Sequence, residues 1–239
     1  MGLLDELIPL AGSEIRVRKV LTFFRGTAVL SAGCGLAYNF WPRSLAARHQ
    51  PVRDCGQLTQ KSARELASYL RSEHTLEAAI GLAAVNSCIR LERNRCVEQN
   101  AFELVAARAA GQRVAVVGHF PAVERLYGIA REVFVLEQEP ETGDLPTGAA
   151  AEVIPRADIV MLTASTIINH TIEQLLELAK GKFTVILGPS TPLTTLLFDY
   201  GADALCGVEV VDEERVLREL GEGASFRSLG GVRRLTLLR

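Results

Sequence analysis

The chain has 239 residues, 48% of them hydrophobic, and its 26 Lys and Arg against 28 Asp and Glu give a formal net charge of −2. That length suffices for one large domain or two small ones with ample core, while the balanced, interspersed charge excludes the basic stripe of a nucleic-acid binder and the acidic tail that suits a basic partner. No apolar run approaches the roughly 20 residues that span a bilayer, and the five cysteines, odd in number and without a CxxC pair, argue against a disulfide framework, so a cytoplasmic protein with free thiols is expected.

The opening segment MGLLDELIPLAG carries acids where a signal peptide carries bases and predicts a short amphipathic helix. IRVRKVLTF and GTAVLSAG, joined at Arg25-Gly26, predict a β-hairpin over 15–33, and CGLAYNFWP reads as a loop after it. A helix is predicted over 60–71, where Ala63, Leu66, Ala67 and Leu70 form one apolar face. A second, over 75–91, is apolar nearly all round and should be buried. Its Gly81, Ala83 and Ala84 permit close packing. Asn86, a polar residue inside this near-continuous apolar helix, must find hydrogen bonds, within the fold or toward a cleft. Asn100 can cap a third helix with Glu103 at capping-box spacing, and Gly111 ends it. The arginines at 90, 93 and 95 read as solvated helix ends, and Arg233 and Arg234 as a basic tail.

From residue 113 the pattern alternates. Strands are predicted over 113–118, 132–137, 158–163, 183–188 and 204–211, with helices at about 121–130, 147–154, 171–180, 192–200 and 212–220. Apolar strands separated by helices predict an α/β fold with a parallel sheet covered on both faces. We expect a Rossmann-like domain with strand order 2-1-3-4-5.

Open α/β sheets bind ligands beyond the carboxyl ends of their strands, near the switch point. That rule selects the loops at Gly118-His119-Phe120-Pro121, Glu137, Thr163 to Thr166, Gly188 to Pro192, and Gly207. In VILGPSTPL, Thr191 suits an N-cap and Pro192 a first helical turn. Caps leave Gly188, Pro189 and Ser190 unexplained, and a hydroxyl-rich helix start can receive a polar ligand. In TASTIINHT, Ser165 and Thr166 can cap or turn, Asn169 can satisfy the loop or reach a ligand, and Thr171 has the spacing of a cap with Gln174. His119 directly follows a strand, where it can exchange protons or ligate metal. His170 ranks below it, and His49 and His74 read as surface residues.

Glu137 follows Gly118 by nineteen residues, as does an acid that holds ribose hydroxyls in dinucleotide folds. The intervening GHFPAVERLYG lacks the GxGxxG glycines, so a nucleoside-like ligand without a diphosphate cradle fits better than NAD. No HxxxH, CxxC or HxH is present, and a metal site would need distant residues such as Cys34, His119, His170 or Cys206. Neither a GxSxG elbow nor a Walker A motif occurs.

Taken together, LEAAIGLAAVN (76–86), VAVVGHFP (114–121), ADIVMLTASTIINHTIEQLLEL (157–178) and VILGPSTPL (185–193) resemble the prokaryotic family named for heavy-metal chelation. The resemblance implies an α+β domain like the N-terminal domain of enolase over 1–110 and a Rossmann-like domain over 111–239. It implies a site in the cleft between them, at Asn86, the Gly118–Pro121 loop, Ser165, Thr166, Asn169 and the Gly188–Thr191 loop, and a metal ion or metal chelate as cofactor. The family has Thr-Gly-Thr-Thr at 163–166 and Asn-Gly-Thr at 169–171; here the hydroxyls persist and the glycines do not. The favoured expectation is a protein that binds or acts on a small polar, metal-chelating molecule in the cleft. Two others stand beside it: an enzyme whose Glu137 holds a nucleotide-derived ligand, and a non-catalytic scaffold. The expected partner is a small molecule, with no nucleic acid and no membrane. The Ala- and Leu-rich helices make a homodimer reasonable.

Overall fold

The computed structural model describes residues 2–39 and 51–239. His49 and the end of the expected 34–42 loop lie outside them. Helix α1 (Leu3–Leu7) buries Leu3 and Leu7, one turn apart, and turns Asp5 and Glu6 outward, as its amphipathic pattern predicts. Strands β1 (Lys19–Thr22) and β2 (Gly26–Leu30) form the expected antiparallel hairpin.

The expected loop after it begins instead with a third strand, β3 (Cys34–Tyr38), antiparallel to β2. Gly35 made this stretch look like a loop, yet the glycine serves a close approach. A Cβ there would collide with the carbonyl of Ala83 and the amide of Ser87, so only glycine lets β3 lie directly on the helix behind it. Helix α2 (Ala63–Ala67) starts at a reciprocal capping box of Ser62 and Glu65 and runs on as a 3-10 turn over Ser68–Arg71. Helix α3 (Thr75–Asn86) is buried on nearly every side, and Gly81 packs against the backbone of Leu70, as expected. It ends at Asn86 rather than at 91, because Ser87 Oγ folds back onto the Ala84 carbonyl at 2.7 Å and terminates the ladder. His74, expected as a surface residue, caps α3 through Nδ1.

An eight-stranded sheet follows. Its strands are β4 (Cys96–Val97), β5 (Arg113–Val117), β6 (Glu132–Glu137), β7 (Leu145–Pro146), β8 (Ile159–Thr163), β9 (Phe183–Leu187), β10 (Ala204–Val210) and β11 (Val232–Leu238). They lie in the order β4-β11-β10-β9-β8-β5-β6-β7. The five predicted strands, β6-β5-β8-β9-β10, are parallel throughout and stand in the expected order, so the switch point falls between β5 and β8. Unforeseen are β7, parallel to β6, and β11, antiparallel to β10 and β4. The expected basic tail is thus a strand near the sheet's edge, its two exposed arginines followed by a buried Leu235-Thr236-Leu237 run.

The connecting helices are α4 (Ala101–Ala106), α5 (Ala150–Val153), α6 (Ser165–Ile168), α7 (Ile172–Leu178), α8 (Leu196–Asp199) and α9 (Glu213–Gly221). The segment expected as a helix at 121–130 is a 3-10 turn over Pro121–Arg125. Asn100 caps α4 as expected but bonds the Phe102 amide, 2.8 Å away, and Glu103 approaches Arg125 instead of closing a box. Side chains alternate along each parallel strand. Val117, Leu162, Ile186 and Leu205 join α3, α6 and α7 in one core, while Val116, Met161, Val185 and Ala204 join α4 in the other. A third cluster sets Ala28, Leu30 and Leu36 against Val216 and Leu220 of α9 and Leu229. The cysteines are unpaired. Among the described residues no helix is long and apolar enough to cross a membrane.

Candidate ligand-binding cleft

At the carboxyl end of β5, Gly118 has φ +104°, and a Cβ there would sit 3.1 Å from Phe120 and Thr163, so the turn needs glycine. Phe120 packs edge-on against Phe102 with ring centroids 5.8 Å apart. The Glu137 carboxylate accepts the His119 amide through one oxygen and the Gln138 amide through the other, both at 2.7 Å. It pins two loops to each other. His119 Nδ1 stands 2.9 Å from Oδ2 of Asp144, whose carboxylate is nearly buried, and that hydrogen bond raises the imidazole pKa above 6.5.

The loop after β8 satisfies itself. Thr166 Oγ1 donates to the Thr163 carbonyl at 2.6 Å, and Thr163 Oγ1 donates to Ser165 Oγ at 3.3 Å. Asn169 Oδ1 accepts from the Thr171 hydroxyl at 2.7 Å. Thr171 thus takes the N-cap position of α7, as expected, but its hydroxyl is spent on Asn169 and makes no capping bond. His170 takes φ +61° and reaches the Leu70 carbonyl with Nε2 at 2.7 Å.

The loop after β9 looks alike in sequence and behaves otherwise. Gly188 has φ +118°. Ser190, 1% exposed, accepts the Tyr38 amide on Oγ at 2.7 Å, from across the seam with β3. Asn86 Nδ2 donates to the carbonyls of Leu36, at 2.9 Å, and Ser190, at 3.0 Å. Thr191 does not cap a helix and Pro192 does not start one, because the chain stays non-helical until Leu196. Thr191 is 3% exposed, and its buried hydroxyl has no hydrogen-bond partner.

Between these pieces lies a cleft of about 280 Å³, walled by Gly33 to Leu36, by Asn86, Ser87, Ile89, Leu91 and Arg93, and by Pro189, Thr191, Leu193 and Val208 to Val210. Asn86, Pro189 and Thr191 thus meet at one place. Ser190 lies between two wall residues and faces Tyr38. Gly118, His119, Phe120, Glu137, Ser165, Thr166, Asn169 and Gly188 do not line this cleft. Two charged wall residues escaped the sequence reading: Glu209 and its ion-pair partner Arg93. A carboxylate inside the apolar run ALCGVEVV was the available signal for Glu209. Arg93, expected only as a solvated helix end, is indeed mostly exposed but sits at the cleft mouth on Glu209.

Among the described residues, three buried side-chain atoms lack a hydrogen-bond partner: Asn86 Oδ1, Thr191 Oγ1 and Glu209 Oε2. Each such atom costs about 1–3 kcal/mol if left unmet, and all three of these residues line one cleft. As a metal site the set is poor for a heavy metal. The three are oxygens, soft ions favour thiolate and imidazole, and Glu209 already holds Arg93. Cys34 is the one sulfur in the wall, and burial pushes its thiol up to about 12, so it stays protonated at neutral pH. Among the described residues no group of three His, Cys, Asp or Glu is arranged to hold a metal ion.

Comparison with known proteins agrees with this architecture. A solved structure from Desulfitobacterium hafniense, a DUF364-family protein of unknown function, superimposes with a TM-score of 0.89 at 26% identity, over 99% of this chain and 98% of that one. A second, from Pyrococcus horikoshii, gives a TM-score of 0.83 at 22% identity over the same shares and speaks for the fold alone. An uncharacterised protein of Methanocaldococcus jannaschii is 26% identical over 180 residues, 72% of this chain and 70% of that one. Two family models, each described as "Putative heavy-metal chelation", match residues 4–89 (DUF4213) and 100–239 (DUF364). With more than half its length matched by the second of these models, the chain belongs to the DUF364 family.

Proposed function

We propose that the protein binds a small polar molecule, of the metal-chelating kind its family description suggests, in the cleft between β3–α3 and the ends of β9 and β10. The observation that carries this reading is the coincidence of the three unpartnered buried oxygens with one cleft. Its wall sets polar groups among apolar side chains, and its volume of about 280 Å³ lies just below the ~300–1,000 Å³ that small-molecule pockets span. The donor set argues that any heavy metal arrives already held by the organic molecule rather than bound directly by the chain.

The nucleotide reading finds less support, since both oxygens of Glu137 hold loop amides. A purely structural role accounts for Ser190, which holds Tyr38, but not for Thr191.

The test is thermal-shift and native-mass measurement of the untagged chain with citrate, histidine and nicotianamine-like aminocarboxylates, each alone and as its Ni²⁺ or Zn²⁺ complex. A chelate that binds the wild type and binds at least tenfold more weakly to Thr191→Val is the expected result. Binding that is unchanged in both Thr191→Val and Glu209→Gln would falsify the cleft as the site.

A further inference from the structure

The hydrogen-bond polarity of the wall narrows the ligand. Asn86 cannot be turned round: its Nδ2 lies on two carbonyl oxygens, those of Leu36 and Ser190, which only a donor can satisfy. Its Oδ1 is therefore fixed as an acceptor. Glu209 Oε2 is an acceptor by nature, and the Thr191 hydroxyl has two free lone pairs. Ser87, the remaining side-chain hydroxyl of the wall, directs its proton to the Ala84 carbonyl. Asn86 Oδ1 and Glu209 Oε2 thus ask for protons, while the Thr191 hydroxyl can take one or give its own. The one strong side-chain donor, Arg93, is 69% exposed at the mouth and held by Glu209. That ion pair, with Arg233 at 3.9 Å from Glu209 Oε2, also cancels the charge that would attract a bare cation. The rest of the wall, Leu36, Ile89, Leu91, Leu193, Val208 and Val210, is apolar and suits an organic body.

We infer that the cleft recognises its ligand through an edge bearing at least two N–H donors, as in an amino-substituted heterocycle or an amidine. This rests on the cleft being the binding site and adds the class of molecule that fills it.

Calorimetric titration of the full chain tests this with 2-aminopyrimidine and benzamidine, with N,N-dimethyl-2-aminopyrimidine as the matched control, and with inorganic phosphate and Zn²⁺ alone. The expected result is binding of at least one N–H probe and at least tenfold weaker binding of the dimethyl control. Glu209→Gln, which places a donor among the acceptors, should weaken the N–H probe at least tenfold, and the isosteric Thr191→Val about threefold or more. If the dimethyl compound binds as well as its parent, and both weaken in Thr191→Val, the cleft stands and the donor-edge class falls. The class also falls if phosphate binds and N–H probes at millimolar concentration do not. Probe binding indifferent to both variants removes the cleft itself from consideration, and the donor-edge inference with it.

Discussion

Two adjacent parallel strands, β8 and β9, end in loops that read almost alike, Thr163-Ala164-Ser165-Thr166 and Gly188-Pro189-Ser190-Thr191. The first closes on itself: its hydroxyls bond its own backbone and one another. The second reaches across to β3 and α3 through Ser190 and leaves the Thr191 hydroxyl unmet. A cluster of Ser and Thr at a strand end is thus no mark of a site. What separates the two is the neighbour: where another sheet abuts the loop, backbone partners are recruited from it and a cleft opens beside them.

The contrast can be broken most forcefully at Gly35. A methyl there collides with the backbone of α3, so β3 must lift away and take the Tyr38 amide from Ser190. We expect Gly35→Ala to cost about 3 kcal/mol in urea denaturation. Gly188→Ala, left-handed at φ +118° but with open space around a new Cβ, should cost only about 1–2 kcal/mol. Equal losses would mean that the seam does not govern the second loop. Next comes Ser190→Ala, which strands the buried Tyr38 amide and should cost about 2 kcal/mol. Thr166→Val removes a bond internal to the first loop, with about 1 kcal/mol expected. Thr191→Val should be neutral or stabilising by up to about 1 kcal/mol in the free protein, because it deletes an unmet hydroxyl while keeping its shape. A loss of 1 kcal/mol or more there would reveal a partner in the free protein and erase the contrast.

The smallest effect belongs to the neighbouring β5 loop. The His119 pKa is raised in the folded protein, chiefly by Asp144. The stability it lends is therefore full below the ordinary histidine value of 6.5 and fades as pH rises through the raised value. Solvent screening keeps this slight. A stability–pH profile of Asp144→Asn should lack that decline; an unaltered profile would assign the decline to other groups.

The order of the five parallel strands was legible because their apolar runs and spacing restrict the topology to few choices. The cleft was legible only in part. Asn86 announced itself as a polar residue on an apolar helix, and VILGPSTPL as a loop richer than a turn requires. Thr191 was misread as a cap because local propensity does not know that β3 covers it. Strand β3 was misread for a related reason: Gly35 signals a break when read locally and a close contact when α3 is known to lie behind it. Glu209 and Arg93 meet across 116 residues of chain, a pairing that no local pattern encodes. Strand β11 was hidden by Arg233 and Arg234, whose exposed positions made the segment look solvated, although Leu235 and Leu237 are buried.

The third apolar cluster, in which β2 and β3 lean on α9, also constrains how the molecule comes into being. Arg18 grips Glu213 with three hydrogen bonds across 195 residues of chain, and Ala28, Leu30 and Leu36 are buried against Val216, Leu220 and Leu229. At ~5–20 residues per second on the ribosome, that cover emerges about 10 to 40 s after the hairpin. For that interval the hairpin's apolar side has no mate, so the half-made chain needs shielding from its neighbours that the finished protein does not.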